Sequence, residues 1–328
     1  MKFGINDVII YSEGGFTLGL GNIYRMIELA KSLKENRDFH IRFVTSSEAY
    51  IAELIRYNGF DVLLAEYDKL LEVISGQSFE LLIIDKLGVE SDFIQSIKDK
   101  KSNHFKTVIF GNCTSANQLA DLVVNAVIGT DFSNKIHTDH SGTKYLTGPK
   151  YLTLRKEFAY KAYQHKNILN NILLLFGGSD QANLSCKILE YFRGSSNPYK
   201  FTVIIGKGYR FHAELEGITR GNDNIKVLRD IDNVEDVMLE NDFLITSPGT
   251  TLFEGFYLGI PCIALYQNDS QKEVFRNFYM TFSYEGIDNL ENYMNDVYFN
   301  IEKYYEELDK LEIGSGKQDI INHISELM

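Results

Sequence analysis

The stretch FLITSPGTTLFEG, residues 243–255, joins an apolar run to a glycine turn and then to a helix-like segment. An earlier stretch, ILLLFGGSD at residues 172–180, has the same order of apolar run and glycine turn. A tight turn between a buried strand and a helix leaves backbone N–H groups at the helix N-terminus, where they suit a phosphate group. Two such turns in one domain predict a nucleotide site, whereas a single glycine turn would not.

Apolar runs alternate with helical segments along the chain, the pattern of α/β layers around parallel sheets. The polar stretch 131–147 is the best candidate for a connection between two domains. We therefore predict domains at 1–147 and 148–328, the second ending in a helical tail from residue 290. The predicted fold class is α/β, with two doubly wound Rossmann-like domains facing each other across a cleft that holds the ligand.

Composition excludes several classes of protein. A net charge of −12 argues against a nucleic-acid partner, because the phosphate backbone repels such a surface. The three cysteines are dispersed and form neither a C-x-x-C pair nor a Cys/His cluster, so we expect no disulfide framework and no metal site. No signal peptide and no membrane span is predicted, which favours a cytoplasmic protein. No cofactor is expected.

A third glycine-rich turn lies near the N-terminus, in EGGFTLGLGNIYR at residues 13–25. It contains Gly19 and Gly21, but not the full G-x-G-x-x-G spacing, and no acidic residue ends the next strand. Dinucleotide binding is therefore not expected. Four glycines before a helix still favour a close approach of the backbone to a ligand over a merely flexible turn.

The other motifs can also be interpreted as purely structural. The turn at Gly178 could be an ordinary one capped by Ser179 or Asp180, but its partner turn favours ligand binding. Glu254 could be a solvated helix residue, yet its place one turn into the helix favours a ribose contact. The sequence DID at 230–232 looks like the D-x-D of metal-dependent sugar transferases, but its position before a helix favours capping residues.

The order of these three turns resembles that of GT-B-fold nucleotide-sugar enzymes. More narrowly, it resembles the PseG/SpsG group, the UDP-sugar hydrolases of pseudaminic acid biosynthesis and their spore-coat polysaccharide relatives. The resemblance spans most of residues 1 to about 280, and the matching segments lie at 19–30, 79–85, 154–158, 176–184 and 249–265. The resemblance implies a small-molecule UDP-sugar substrate, with UDP held by the C-terminal domain and the sugar facing the N-terminal glycine turn.

The resemblance also implies particular site residues. Gly178, Ser179 and Asn183 would lie near the nucleotide, and Glu254 at the ribose. Asn268 or Gln271 would contact the sugar. The full set of implied binding residues is Gly19, Gly21, Tyr24, Arg25, Gly177, Gly178, Ser179, Asn183, Gly249, Thr250, Thr251, Glu254, Asn268 and Gln271.

The chain departs from the family at one position that matters for the chemistry. The hydrolases carry a histidine immediately after the G-x-G, and this chain has Asn22 there. An asparagine can orient a water molecule but cannot accept its proton. The family's paired aspartates after a later strand are also replaced, by GNCT at residues 111–114.

Three functions follow from these patterns. The first is hydrolysis of the anomeric C–O bond of a UDP-sugar in surface glycan or nonulosonic acid biosynthesis, with Asn22 positioning the water and Glu13 or Asp85 as the base. The second is a metal-independent GT-B glycosyltransferase that uses the same donor. The third is a nucleotide-sugar binding protein that has lost catalysis. Hydrolysis ranks first on the family resemblance.

Overall fold

The computed structural model describes residues 6–15, 19–36, 38–101, 104–127, 131–158, 163–166, 168–193, 199–275, 283–284 and 286–328. The strands are β1 (Asn6–Ser12), β2 (Phe39–Thr45), β3 (Asp61–Leu64), β4 (Leu81–Asp85), β5 (Lys106–Phe110), β6 (Leu122–Asn125), β7 (Lys135–Thr138), β8 (Lys144–Thr147), β9 (Asn171–Leu175), β10 (Lys200–Ile205), β11 (Ile225–Arg229), β12 (Phe243–Thr246), β13 (Cys262–Leu265) and β14 (Ser283–Tyr284). The helices are α1 (Gly21–Asn36), α2 (Ala49–Tyr57), α3 (Leu70–Ser75), α4 (Ser91–Lys100), α5 (Leu184–Phe192), α6 (His212–Thr219), α7 (Val234–Glu240), α8 (Thr250–Leu258), α9 (Asp269–Phe275), α10 (Leu290–Phe299), α11 (Ile301–Leu311) and α12 (Lys317–Glu326).

The chain divides into two compact units. Unit 1 comprises Met1–Arg155 and Gly314–Met328, and unit 2 comprises Lys156–Ile313. The sheet of unit 1 has the strand order β3-β2-β1-β4-β5-β6-β8-β7. Its strands pair in parallel, except that β7 runs antiparallel to β8. The sheet of unit 2 has the order β11-β10-β9-β12-β13-β14, and all its pairs are parallel.

Both faces of the unit 1 sheet are apolar, as expected for a parallel sheet covered by helices on both sides. Val8 and Ile10 of β1 belong to the core cluster that includes the apolar face of α1. Ile9 and Tyr11, which point to the opposite face, belong to a second cluster with Ile94 of α4. This alternation fixes the register of β1 at the centre of the sheet.

Each sheet has a point at which the strand order reverses. In unit 1 the reversal lies at β1, which pairs with β2 on one side and β4 on the other. In unit 2 it lies at β9, between β10 and β12. In open parallel sheets the crevice outside the carboxyl ends of the strands at such a point is the usual place for a ligand.

The stretch 131–147 does not form the predicted connection between domains. It holds β7 and β8, an antiparallel hairpin that extends the unit 1 sheet, with β8 paired in parallel to β6. The turn between them is stabilised by Asp139, whose Oδ1 accepts hydrogen bonds from the backbone N–H groups of Ser141 at 2.9 Å and Thr143 at 3.1 Å. A polar hairpin at a sheet edge has the composition of a linker, and this is why composition was a poor guide here.

The predicted domain boundary also differs at the C-terminus. The helical tail divides, because α10 and α11 lie in unit 2 whereas α12 belongs to unit 1. Ile320, Ile321 and Ile324 of α12 are buried in the same core cluster as α1 and β1. Within the described residues, no helix combines the length and apolar character needed to cross a membrane.

Candidate functional site

The predicted catalytic residues of unit 1 meet at its strand reversal. Glu13 follows β1, and Asp85 ends β4, where it is paired across the sheet with Ser12. Asn22 and Arg25 lie in the first turns of α1, which begins directly after the glycine-rich turn. The fold therefore brings together four residues that are spread over 73 positions of the sequence, from 13 to 85.

Arg25 and Asp85 form a bidentate ion pair in the interior of unit 1. The Nε and Nη2 atoms of Arg25 donate to Oδ2 and Oδ1 of Asp85, each at 2.7 Å. Burial alone would lower the pKa of Arg25, but the charge of Asp85 and these hydrogen bonds outweigh burial and raise it above its ordinary value. Burial also raises the pKa of Asp85, against the effect of Arg25, and the two hydrogen bonds make the pair a fixed support for the residues around it.

Arg25 also fixes the orientation of Asn22. Its Nη2 donates to Oδ1 of Asn22 at 2.8 Å, while Nδ2 of Asn22 lies 3.5 Å from the backbone oxygen of Glu13. Because the amide oxygen faces the guanidinium, the –NH₂ group is the end of Asn22 that can meet a ligand. Asn22 is thus arranged as a hydrogen-bond donor.

Glu13 is held by one of its two carboxylate oxygens. Oε1 accepts hydrogen bonds from the hydroxyl groups of Tyr11 and Ser46, the latter at 2.8 Å, and lies 3.7 Å from Nζ of Lys86. Burial and then the hydrogen bond to Glu13 raise the pKa of Tyr11 well above its ordinary value, so its hydroxyl stays protonated as a donor. Among the described residues, no hydrogen-bond partner faces Oε2 of Glu13.

The glycine-rich turn closes on itself beside these residues. Gly15 and Gly19 exchange two backbone hydrogen bonds, at 2.9 and 2.8 Å, and Gly19 has a φ of +78°. Phe16, Thr17 and Leu18, which were part of the predicted turn, lie outside the described residues. The guanidinium carbon of Arg155 lies 5.5 Å from the centre of the Tyr24 ring. Tyr24 therefore packs against the last residue of the first segment of unit 1.

In unit 2 the turn Gly177–Ser179 follows β9 at the strand reversal. Gly177 has a φ of +73°, which favours glycine. Gly178 has no positive φ, and no atom of the described residues lies within 4 Å of the position where its Cβ would be. Neither the backbone nor the packing of unit 2 therefore requires a glycine at 178.

Asp180 and Asn183 stabilise the start of α5. The carboxylate of Asp180 accepts hydrogen bonds from the N–H groups of Leu184 at 2.8 Å and Ser185 at 2.9 Å. Asn183 is buried, and its Oδ1 accepts the hydroxyl of Tyr209 at 3.0 Å. The N–H groups of α5 that Asp180 occupies are not available to a phosphate, and the contact of Asn183 with the nucleotide stays a prediction.

The second turn of unit 2 leads into α8. Gly249 precedes Thr250 and Thr251, and as the N-cap residue it contributes no side-chain hydrogen bond to the start of the helix. No described atom lies within 4 Å of a Cβ built on Gly249. Glu254, one turn further, is buried. Each of the two turns follows a strand, as the sequence predicts, and the structure shows that these strands, β12 and β9, are neighbours in the sheet.

Gln267 connects these two turns and was missed by the sequence analysis. Its Nε2 donates to the backbone oxygen of Phe176 at 3.2 Å and to Oγ of Ser247 at 2.6 Å. Gln271 accepts the N–H of Gln267 at 2.8 Å, and Asn268 accepts the N–H of Gln271 at 2.9 Å. Gln271 and Asn268, the two predicted sugar contacts, thus form hydrogen bonds within their own segment. Gln267 instead links the segments that lead into the two turns.

Comparison with solved structures identifies the fold. The calicheamicin glycosyltransferase CalG4 matches with a TM-score of 0.66 and 9% identity, over 99% of this chain and 98% of that one. The S. aureus MnaA–UDP structure matches with a TM-score of 0.63 and 12% identity, over 98% and 96%. The protein has the GT-B fold, and the predicted fold class is confirmed.

Three relatives resemble the chain in sequence. An uncharacterized protein of Methanocaldococcus jannaschii is 35% identical over an alignment that covers 98% of this chain and 66% of that protein. The spore coat polysaccharide biosynthesis protein SpsG of Bacillus subtilis is 27% identical, over 82% of this chain and 80% of its own length. The UDP-2,4-diacetamido-2,4,6-trideoxy-beta-L-altropyranose hydrolase of Campylobacter jejuni is 23% identical, over 76% and 88%.

These relatives confirm the predicted family, although no family model matches the chain. The chain is similar in sequence to members of the PseG/SpsG-like family. It spans 66% of the length of the archaeal relative, so it corresponds to about two thirds of that protein.

Proposed function

We propose that the protein cleaves the anomeric C–O bond of a UDP-sugar by hydrolysis. The observation that carries the proposal is the ordered group of Glu13, Asn22, Arg25 and Asp85 at the strand reversal of unit 1. The similarity to a protein named as a UDP-sugar hydrolase supports the choice of substrate class. The similarity to SpsG supports a role in polysaccharide biosynthesis.

In this proposal unit 2 binds UDP. The N–H groups at the start of α8 receive the diphosphate, whose negative charge the helix dipole stabilises. The Cβ positions of Gly178 and Gly249 are open, which leaves room for the nucleotide to approach the backbone there. When the C–O bond breaks, the electron pair leaves on UDP, and these donors stabilise the leaving group.

Glu13 is the better of the two candidate bases. Both carboxylate oxygens of Asp85 are bonded to Arg25, so this residue holds the guanidinium and through it Asn22. Glu13 keeps Oε2 for a ligand, while Tyr11 and Ser46 orient Oε1. The attacking water would give its proton to Glu13, and the –NH₂ group of Asn22 would donate to an oxygen of the substrate.

A specific observation favours transfer as the second candidate. Asn22 replaces the family's histidine and presents a donor rather than a base, which weakens activation of water. With the same residues, Glu13 would deprotonate a hydroxyl group of an acceptor sugar instead. The third candidate is a protein that binds a nucleotide-sugar through the unit 2 turns but does not cleave it.

The test begins with calorimetric titration of UDP against ADP, GDP and CMP. Selective binding of UDP supports the donor class, and release of UDP from UDP-sugars is then measured with and without added acceptors. Release in water alone supports hydrolysis, acceptor-dependent release supports transfer, and binding without release supports the binding protein. If none of the four nucleotides binds, the proposal is wrong.

Replacing Glu254 by alanine is expected to weaken UDP binding by about 1–3 kcal/mol, because a charge-assisted hydrogen bond to the ribose is lost. Calorimetry measures the change. Glu216→Ala, an exposed position on α6, is the matched control and should leave the affinity unaltered. Equal UDP affinity in the Glu254 variant and the wild type would remove Glu254 from the site.

Replacing Gly178 by alanine is expected to weaken UDP binding by about 1–3 kcal/mol, since the added methyl group would overlap the nucleotide. The fold should tolerate it, because the Cβ position is open. Gly217→Ala in α6, where the Cβ position is equally open, is the control for stability. A Gly178 variant that binds UDP normally would show that the turn carries no nucleotide.

A further inference from the structure

A second feature of unit 1 lies one strand away from the Arg25–Asp85 pair. It is a pocket of about 340 Å³ between the carboxyl ends of β1 and β2. Its volume falls in the range of small-molecule sites, about 300–1,000 Å³. The described residues that line it are Glu13, Gly14, Gly15, Ser46, Ser47, Glu48 and Tyr67.

Ser47 supplies a hydrogen-bond donor to this pocket. Its Oγ accepts hydrogen bonds from the backbone N–H of Gly14 at 2.9 Å and from the hydroxyl of Thr45 at 2.9 Å. Both lone pairs of the oxygen are therefore used. Among the described residues no atom accepts the proton of Ser47, which leaves it for a ligand.

Two carboxylates supply acceptors. Glu13 is only 9% exposed, and its Oε2 has no hydrogen-bond partner among the described residues. The carboxylate of Glu48 lies against Gly15, where a Cβ would come within 2.4 Å of Oε2 of Glu48. Lys86 lies 3.7 Å from Glu13 and partly balances its charge, whereas no described cation is paired with Glu48.

Tyr67 provides the apolar wall of the pocket. Nζ of Lys86 lies 4.5 Å from the centre of its ring, so one face is covered by a cation. The residue is nevertheless 67% exposed. An aromatic ring beside hydroxyl and carboxylate groups matches a sugar, which has apolar C–H faces and an edge of hydroxyl groups.

We infer that this pocket binds the glycosyl group of the substrate and selects sugars without negative charge. Hydroxyl groups of a neutral sugar can donate to Glu13 or Glu48, and one of them can accept the proton of Ser47. An anionic sugar meets the carboxylate of Glu48, which no described cation offsets. The inference rests on the proposed function, because it assigns the sugar part of the proposed UDP-sugar to unit 1.

The test compares UDP, UDP-glucose and UDP-glucuronic acid by calorimetry, since the two sugars differ only in a carboxylate. We expect UDP-glucose to bind at least fivefold more tightly than UDP, and UDP-glucuronic acid no more tightly than UDP. Ser47→Ala should remove the advantage of UDP-glucose and leave UDP unaltered. Glu48→Gln should improve binding of UDP-glucuronic acid three- to tenfold, or roughly 0.6–1.4 kcal/mol.

Glu66→Gln, an exposed carboxylate outside the pocket, is the matched control and should alter none of the affinities. The exposed position of Glu48 keeps the test independent of any effect of Ser47 on folding. Equal affinity for UDP and both UDP-sugars, or no effect of Glu48→Gln, would overturn the inference about the pocket. Loss of UDP binding by the wild type itself would instead overturn the proposed function.

Discussion

Replacing Arg25 by alanine is expected to lower the free energy of unfolding by about 3–5 kcal/mol, because it leaves a buried carboxylate without its partner. Asp85 is 1% exposed, and both of its oxygens accept hydrogen bonds from this one guanidinium. No other cation among the described residues is paired with it. Urea unfolding followed by circular dichroism measures the loss.

Two further variants test whether the loss of stability comes from the buried ion pair. Lys69→Ala breaks an ion pair with Glu66 in the same unit, whose side chains are 61% and 74% exposed, and should cost less than about 1 kcal/mol. The double variant Arg25→Met with Asp85→Leu removes both charges and should recover much of the lost stability. If Arg25→Ala unfolds at the same urea concentration as Lys69→Ala, the pair does not support unit 1.

The alternation of strands and helices could be predicted because parallel strands leave a local signal. Residues 81–85 are buried throughout, and the sequence there is LLIID. In α1 the apolar residues recur at helical spacing, and the face they form is the buried one. Glycine turns after β9 and β12 were equally visible, since such turns are set by neighbouring residues.

The domain boundary depends on contacts between distant segments and could not be predicted in this way. The residues of α12 form an ordinary amphipathic pattern, and such a helix could pack against either unit. Only the packing of Ile320 and Ile324 into the core of unit 1 assigns the helix there. Likewise, the pairing of β8 with β6 turns a polar stretch into part of a sheet.

The site was predicted as a set of residues but not as an arrangement. Arg25 and Asp85 are 60 positions apart, so nothing in the local sequence indicates that they pair. That pairing decides which end of the Asn22 amide faces outward. Gln267 was passed over for Asn268 and Gln271, because its role depends on Phe176 and Ser247, which are distant in sequence.

Because Asn22 presents a hydrogen-bond donor, the proposed reaction depends on Glu13 as the general base. Replacing Glu13 by glutamine is expected to lower the rate of UDP release by a factor of about 10²–10⁴, the usual contribution of a general base. Glutamine keeps the shape of the side chain, and its oxygen can still accept the hydroxyl groups of Tyr11 and Ser46. The –NH₂ group would then replace Oε2 and could not take a proton from water or an acceptor hydroxyl.

Stopped-flow or discontinuous assay of UDP release measures the rate, and calorimetry with UDP alone provides the control. UDP affinity should stay within a factor of two, because Glu13 is not among the proposed nucleotide contacts at Gly178, Gly249 and Glu254. Asn22→Ala should also slow release while sparing UDP affinity, because it removes a donor and leaves the base. A Glu13→Gln variant with nearly the wild-type rate would exclude Glu13 as the base and transfer that role to Asp85, whose Asp85→Asn variant would then have to abolish release.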